Sequence, residues 1–290
     1  MGRISALPMN ATDAIRAAAL RLEAAGVADP RLDARLLAAA ALGVDARALF
    51  GRPQMPLSDA AAARLDDFVR RRAAREPVSR ILGRRGFWTL DLALGPDTLD
   101  PRPDSETVVD AVLAEIGDRA APLRILDFGT GSGCLLLALL SELPAATGLG
   151  IDASPGALAV AEANARECGL AARARFALGD WGRGLTGCHD AIVANPPYIP
   201  DADIAGLAPE VAQWDPRAAL AGGRDGLDCY RALAPDIARL LAAGGVAAIE
   251  IGQGQGRAVA ELLEAAGLSV NAVRRDLAGI ERCVVAFRRP

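Results

Sequence analysis

The chain has 290 residues, of which 52% are hydrophobic and 23% charged, and it carries a formal net charge of −4. This length and apolar content predict one large or two modest globular domains. Because the chain contains no lysine, Schiff-base and P-loop chemistry that depend on lysine are excluded. The negative net charge argues weakly against a protein whose whole surface is adapted to bind nucleic acid.

The cysteines and the apolar runs indicate the compartment. Five cysteines are scattered without a C-x-x-C pair, and a single histidine predicts no metal cluster. Unpaired thiols of this kind are typical of a reducing compartment. The N-terminus lacks the apolar core of a signal peptide, and no apolar run reaches the roughly 18 residues of a membrane span. We therefore expect a cytoplasmic protein without a metal.

The first part of the chain, residues 1–77, predicts a helical bundle of three or four short helices with Ala- and Leu-rich faces. The predicted helix starts are at Thr12, Asp29-Pro30 and Ser58, and the predicted stops are Gly26, Gly43 and Pro77. Since this part carries no catalytic constellation, we expect it to serve packing or partner binding.

The residue pattern of the sequence changes at about residue 78 and again at about residue 105. Residues 78–104 contain two short strand-like runs separated by Gly and Pro, which predict a hairpin linker. In residues 105–290 strands alternate with helices, which is typical of an α/β, doubly wound, Rossmann-like sheet. The predicted strands are LRILDF, TGLGID, ARFALGD, DAIVAN and VAAIEI, followed by two closing strands.

A glycine-rich turn follows the first of these strands, where Gly129, Thr130, Gly131, Ser132 and Gly133 lead into a helix. Glycines at a strand-to-helix turn let a ligand approach bare backbone. The spacing is G-x-G-x-G and not the G-x-G-x-x-G of dinucleotide sites, so a pyrophosphate is less favoured. Taken alone, the turn is equally consistent with a purely structural tight turn.

The ends of the next two strands favour a nucleoside cofactor. Asp152 ends TGLGID, where a carboxylate can accept from both hydroxyls of a ribose. Asp180 and Trp181 follow the third strand, where they can hold an adenine by its amino edge and its face. Ribose and adenine sites without a pyrophosphate site predict S-adenosylmethionine. A second glycine loop, 252–256, is expected to turn the chain near the sheet edge.

The fourth strand ends in Asn195-Pro196-Pro197-Tyr198, and its carboxyl end is expected beside that of the first strand. The prolines lock φ and remove two donors, so the Asn195 side-chain oxygen and the Pro196 carbonyl remain as acceptors, with Tyr198 as an aromatic wall. Such acceptors suit an –NH2 group aimed at a sulfonium methyl. A rigid turn is the alternative, and His189 is expected to play no catalytic part.

Further segments extend this pattern over nearly the whole chain. They include P-V-S-R-I-L-G from 77, P-R-P-D-S-E-T from 101, G-G-R-D-G-L-D-C-Y-R from 222, E-I-G from 250 and D-L-A-G-I-E-R from 276. With them the chain resembles the PrmC/HemK family of protein-(glutamine-N5) methyltransferases. The family more often has P-R-P-E-T-E where this chain has Asp104, Ser105 and Glu106. N-P-P-Y alone is shared with amino methyltransferases of DNA and RNA.

The resemblance implies that Gly129 to Gly133 cradle the methionine end of S-adenosylmethionine, that Asp152 binds its ribose and that Trp181 binds its adenine region. Asn195 would bind both the substrate amide and the cofactor. The implied catalytic residues are Asn195, Pro196 and Tyr198, and the implied glutamine slot adds Pro197. The implied substrate is the glutamine of the Gly-Gly-Gln loop in class I peptide chain release factors, docked with help from the helical domain.

Two other functions remain open at this point. The first is an amino methyltransferase that acts on an exocyclic base nitrogen of RNA or DNA. The second is a cofactor-binding interaction protein without activity, against which the intact N-P-P-Y argues.

Overall fold

The computed structural model describes residues 10–51 and 54–288. The chain divides into two compact units, Met1–Gly83 and Arg84–Pro290. The first unit thus continues past Pro77 to include a short helix, and the hairpin expected in 78–104 belongs to the second unit.

The N-terminal unit is helical, as the sequence predicts. Its helices are α1 (Ala11–Ala24), α2 (Pro30–Leu42), α3 (Ala48–Gly51), α4 (Asp59–Ala73) and α5 (Val78–Leu82). Their apolar faces meet in one core that contains Leu22, Leu37, Leu65 and Val69. Along α1, α2 and α4 the buried residues recur at helical spacing. For this reason periodicity alone predicted the bundle.

Local capping explains where these helices begin and end. Ser58 caps α4 as predicted, and Gly43 ends α2 in the left-handed conformation that glycine adopts without strain. The prediction that Thr12 caps α1 was wrong. Asn10 caps it, because the Asn10 side-chain oxygen accepts from the Asp13 N–H at 2.9 Å, and Thr12 lies inside the helix.

The second unit opens with the predicted hairpin, an antiparallel pair of strands β1 (Arg84–Phe87) and β2 (Leu90–Ala93). Its turn is tied to the rest of the unit through Trp88. The Trp88 backbone N–H donates to Glu106 Oε1 and its indole N–H donates to Glu142 Oε1, each at 2.8 Å. Glu106 therefore anchors the hairpin.

A seven-stranded sheet forms the centre of the second unit. Its strands are β3 (Arg124–Phe128), β4 (Thr147–Asp152), β5 (Ala174–Leu178), β6 (His189–Ala194), β7 (Leu241–Glu250), β8 (Ser269–Arg275) and β9 (Glu281–Phe287). Its helices are α6 (Glu106–Glu115), α7 (Cys134–Glu142), α8 (Pro155–Glu167), α9 (Pro209–Ala212), α10 (Asp228–Leu240) and α11 (Gly256–Ala265). The strand order is β5-β4-β3-β6-β7-β9-β8, with β3 to β7 parallel and β9 antiparallel to both neighbours.

Both faces of the sheet are covered, which confirms the doubly wound fold. Successive residues of β6 alternate between two cores: Val193 faces the core with α6 and α7, and Ile192 faces the core with α10 and α11. Strands buried on both faces read as continuous apolar runs. This burial accounts for the runs LRILDF and DAIVA.

The strand order reverses between β3 and β6, because the chain leaves β3 for β4 and β5 and then returns to the other side of β3. Ligands bind at such a switch point, outside the carboxyl ends of the strands. The glycine loop at 252–256 follows β7, which lies between β6 and β9. The expectation that this loop lies near the sheet edge was wrong, because β8 and β9 extend the sheet beyond it.

Candidate active site

A cavity of about 490 Å³ opens at the carboxyl ends of the central strands. Predicted residues in its lining are Gly129, Thr130, Gly131, Ser132, Asp152, Asp180, Trp181, Asn195 and Pro197. The topology thus gathers segments that are up to 68 positions apart, from Gly129 to Pro197, at one place. Gly133, Pro196 and Tyr198 lie outside this lining.

The glycine turn is tied to the end of β4 through its own amides. The N–H groups of Gly129 and Thr130 both donate to the Ile151 carbonyl, at 2.8 and 3.0 Å. The Gly131 N–H donates to Asp152 Oδ2 at 2.8 Å. Because these donors already have protein acceptors, the turn is poorly suited to bind a phosphate through its amides.

Gly133 has a different position from the other glycines of the turn. It is the residue before α7 and has φ 82°. A Cβ there would lie 3.2 Å from Leu137 Cδ1 and 3.4 Å from the Ala161 Cβ. Gly133 therefore allows α8 to pack closely against the start of α7.

Asp127 is a lining residue that the sequence reasoning missed. It lies within the apolar run of β3, just before Phe128, is 1% exposed, and its Oδ2 accepts from the Thr130 hydroxyl at 2.6 Å. Its Oδ1 has no hydrogen-bond partner among the described residues. Burial, helped by the nearby charge of Asp152, raises the Asp127 pKa to about 7 despite the Thr130 hydrogen bond, which lowers it. The sequence did contain a signal for Asp127, namely a carboxylate within an apolar strand run. Burial of such a group costs free energy unless it has a partner, so its presence there indicates a functional role.

The cavity has an acidic lining. Its carboxylates are Asp97, Asp127, Asp152 and Asp180, and no basic side chain is among the lining residues of the described chain. This distribution disfavours an anionic pyrophosphate and favours a ligand that carries positive charge.

Trp181 stands beside the glycine turn in an unusual backbone conformation. Its φ is 48°, in the left-handed region that a bulky residue rarely adopts. A Cβ on Gly129 would lie 3.6 Å from the Trp181 ring, so the indole packs close to the turn. Backbone strain of this kind persists where the surroundings over-determine it, often at ligand sites.

The Asn195 carboxamide has a defined orientation. Its Nδ2 donates to the Ser105 hydroxyl at 3.0 Å, and Ser105 is 1% exposed, at the start of α6. With Nδ2 engaged, Oδ1 has no hydrogen bond within the described part of the chain and can serve as an acceptor. The sequence offered no sign of this partner, which lies 90 positions away.

The segment after Asn195 is held by a second loop. The Ile199 N–H donates to the Leu220 carbonyl at 3.0 Å, and the Gly222 N–H donates to the Ile199 carbonyl at 2.9 Å. A Cβ on Gly222 would lie 2.8 Å from Tyr198 Cα and 2.9 Å from the Pro197 carbonyl oxygen. Glycine at 222 is therefore required for this close approach.

The segment before α6 carries ion pairs through Arg102 and Asp104. The Arg102 guanidinium pairs with buried Asp215, which also accepts from the Asp100 N–H at 3.2 Å. Asp104 pairs with Arg282 at 3.3 Å. Asp104, where the chain departs from the family pattern, thus pairs with a basic side chain, and Asp215 has both a basic and a backbone partner.

His189 lies far from the cavity. It begins β6, whose other end carries Asn195. Six strand residues span about 20 Å. Burial lowers the His189 pKa, which fits a neutral imidazole at the opposite end of the sheet.

Comparison with known proteins gives a consistent result. Residues 13–83 match the family model described as PrmC N-terminal domain, and residues 106–210 match the one described as Methyltransferase small domain. The release factor glutamine methyltransferase of Rhodospirillum rubrum is 56% identical over 93% of this chain and 83% of its own length. The enzyme of that name from Caulobacter vibrioides is 47% identical over 93% of both chains.

The chain belongs to the release factor glutamine methyltransferase family. It is thus a member of the PrmC/HemK family, as the motifs predicted, and is a methyltransferase. The first matched region agrees with the N-terminal unit, since both end at residue 83. Among the described residues, no helix is long and apolar enough to cross a membrane.

Solved structures support the fold of the second unit. The hMettl16 catalytic domain in complex with the MAT2A 3′UTR hairpin 6 aligns with a TM-score of 0.54 over 69% of this chain and 76% of its own, at 16% identity. A methyltransferase from Pyrococcus furiosus aligns with a TM-score of 0.50 over 69% and 90%, also at 16% identity. These similarities place the family member in the α/β methyltransferase fold.

Proposed function

We propose that the protein transfers a methyl group from S-adenosylmethionine to the side-chain amide nitrogen of the glutamine in the Gly-Gly-Gln motif of class I peptide chain release factors. The relatives that are 47–56% identical over most of the chain bear the name release factor glutamine methyltransferase. The residues of the cavity support both the cofactor and the type of acceptor.

The cavity fits S-adenosylmethionine by size and by charge. Asp127 Oδ1, buried and without a partner among the described residues, can accept from the methionine ammonium. Asp152 can accept from the ribose hydroxyls, and the Trp181 indole offers an apolar face to the adenine. When bound, the cofactor would supply an electrophilic methyl on a sulfonium. The four lining carboxylates suit its positive charge.

The observation that carries the proposal is the orientation of Asn195. Because Nδ2 donates to Ser105, Oδ1 remains to accept one hydrogen of a substrate –NH2 group. The Pro196 carbonyl is the expected acceptor for the second hydrogen. An amide nitrogen is a poor nucleophile, since its lone pair is delocalised into the carbonyl. Two acceptors that hold both hydrogens out of the amide plane favour a pyramidal nitrogen and aim its lone pair at the methyl.

The reaction requires no general base before methyl transfer. A substituted amide that still carries both original hydrogens is a strong acid, and it loses a proton to water once the new N–C bond has formed. This route fits a cavity lining without histidine. The prolines at 196 and 197 keep the acceptors rigid, because each fixes its own φ.

We further propose that the N-terminal helical unit contributes to docking of the release factor. None of its described residues lines the cavity, and residues 13–83 match the family model described as PrmC N-terminal domain. The sequence left packing and partner binding open for this unit, and the family resemblance implied that it helps to dock the release factor.

Methyl transfer from labelled S-adenosylmethionine tests the proposal. The acceptors are a class I release factor, the same protein with its Gly-Gly-Gln glutamine changed to alanine, ribosomal RNA and DNA. We expect label on the first acceptor alone. Label on RNA or DNA with none on the release factor would assign the Asn195 pocket to a base and overturn the proposed substrate.

A further inference from the structure

The side chain of Gln255 lies where three of the sequence motifs meet, and the chemistry described so far does not use it. Its Nε2 donates to the Tyr198 carbonyl at 3.0 Å and to the Gly226 carbonyl at 3.3 Å. Its Oε1 accepts from the Gly252 N–H at 2.9 Å. One carboxamide therefore joins the N-P-P-Y segment, the G-G-R-D-G-L segment and the end of the E-I-G segment.

These partners fix the orientation of the half-buried Gln255 carboxamide. Two of them are carbonyl oxygens, which only accept, and the third is a backbone N–H, which only donates. The Tyr230 hydroxyl, 3.4 Å from Oε1, is a further donor on the accepting side. A flipped carboxamide would place oxygen against the two carbonyls and NH2 against the N–H, so the observed orientation is the one that satisfies every partner.

Two glycines make room for this carboxamide. A Cβ on Gly226 would collide with the Tyr198 carbonyl oxygen and would lie 2.7 Å from Gln255 Nε2. A Cβ on Gly252 would lie 2.8 Å from Gln255 Oε1 and 3.0 Å from Tyr198 Cδ2. The glycines of two separate motifs thus serve the same contact.

The chain that carries Gly226 also forms one wall of the cavity. The lining residues between β6 and the first turn of α10, beyond the N-P-P-Y segment, are Pro216, Ala218, Ala219, Ala221 and Cys229. Backbone hydrogen bonds of Ile199 with Leu220 and Gly222 join this wall to the N-P-P-Y segment. Gln255 anchors the joined pair to the residues that follow β7.

The N-P-P-Y segment has little freedom between its two ends. At one end, Ala194 is paired with Phe128 and Ile249 in the sheet. At the other end, Gln255 holds the Tyr198 carbonyl. Because each proline between these ends fixes its own φ, a shift of the Tyr198 carbonyl changes the direction of the Pro196 carbonyl and of the Asn195 side chain.

We propose that Gln255 is a positioning residue for methyl transfer: its carboxamide holds the Tyr198 and Gly226 carbonyls beside the end of β7 and thereby aligns the Asn195 and Pro196 acceptors with the substrate amide. This inference rests on the proposed function for its substrate. The contact itself can be measured without a substrate.

The first test separates kcat from binding. The change Gln255→Met keeps the length of the side chain and removes its hydrogen bonds, and we expect it to lower kcat by about 10- to 100-fold, since misplacement of a reacting group carries a cost of that order. The Kd for S-adenosylmethionine and the KM for the release factor should stay within about threefold, because Gln255 is outside the cavity lining. Gln253→Met, the same change at an exposed position of the same loop, is the matched control and should leave kcat unchanged.

A second variant tests the donors alone and serves if Gln255→Met does not fold. Gln255→Glu keeps an acceptor for the Gly252 N–H but places an oxygen against the Tyr198 and Gly226 carbonyls, so kcat should again fall by about tenfold or more. In the Asn195→Ala background, either change should lower the residual turnover by no more than about threefold, because groups that act as a unit have non-additive effects.

Hydrogen exchange measures the contact without any substrate. The Ile199 and Gly222 amides, which bond between the two loops, should exchange about tenfold faster or more in Gln255→Met, and the β3 amides should exchange as in the wild type. Wild-type kcat in folded Gln255→Met or Gln255→Glu overturns the proposal, and so does a fully additive loss in the Asn195→Ala background. A wild type that protects these amides but methylates no release factor overturns the proposed function instead.

Discussion

Removal of Asp152 should weaken cofactor binding by a calculable amount. Both oxygens of this carboxylate have protein donors: Oδ2 accepts from the Gly131 N–H at 2.8 Å and Oδ1 from the Ser154 N–H at 2.9 Å. Each oxygen keeps a further lone pair for a ribose hydroxyl. The change Asp152→Ala therefore removes the ribose acceptors and also unties the glycine turn from the end of β4.

The magnitude follows from the strength of hydrogen bonds to a charged group, about 1.5–3 kcal/mol each. Loss of two such bonds to the ribose costs about 3–6 kcal/mol, and each 1.4 kcal/mol corresponds to about tenfold in Kd. We expect Asp152→Ala to raise the Kd for S-adenosylmethionine at least 100-fold. Asp152→Asn, which keeps one acceptor oxygen, should fall between that variant and the wild type.

Isothermal titration calorimetry with S-adenosylmethionine measures this change, and thermal unfolding checks that the variants are folded. Asp190→Ala is the matched control, because it removes the same charge at the opposite end of the sheet, where Asp190 accepts from the Arg124 N–H at 2.7 Å. A folded Asp152→Ala protein that binds within about threefold of the wild type would refute the ribose assignment and the reasoning from the turn.

Three further changes test other parts of the site. Asn195→Ala should lower kcat by on the order of 100-fold in a folded protein, and wild-type turnover in a methylation assay would remove Asn195 from the mechanism. Burial raises the Asp127 pKa from 3.8 to about 7. Between about pH 4 and 7 the folded state therefore keeps a proton that the unfolded state has lost, and the free energy of unfolding falls as the pH rises through this range. Asp127→Asn should then raise the unfolding free energy at pH 8 relative to pH 5 by up to about 2.6 kcal/mol, and equal denaturation midpoints for both proteins at pH 8 would contradict this. Gly222→Ala places a Cβ 2.8 Å from Tyr198 Cα and should destabilise the protein by about 1–3 kcal/mol; Gly206→Ala, in open space, should be neutral in the same urea titration.

Local sequence was sufficient wherever the deciding interaction spans a few residues. Alternation of strands and helices predicted the doubly wound sheet, because each buried strand must be apolar on both faces. Ser58 and Gly43 were read correctly as helix boundaries, since a cap bonds within three or four positions. The N-P-P-Y segment was recognised because proline constrains the backbone at its own position.

Long-range partners were not readable from the sequence. Ser105 orients Asn195 across 90 positions, and Glu250 reaches Tyr198 across 52. The loop at 252–256 was assigned to the sheet edge because strand order is not encoded in a local pattern. Its Gln255 instead holds the carbonyl of Tyr198.

By itself, the sequence determined the elements, the family motifs and the chemical types that meet at the strand ends. Only the tertiary structure decided which carboxylates are buried, which amides of the glycine turn are already bonded and which way the Asn195 carboxamide points. The physical reason is that burial and hydrogen-bond direction depend on groups brought together by strand order, whereas helix caps, turns and strand alternation depend on neighbours along the chain.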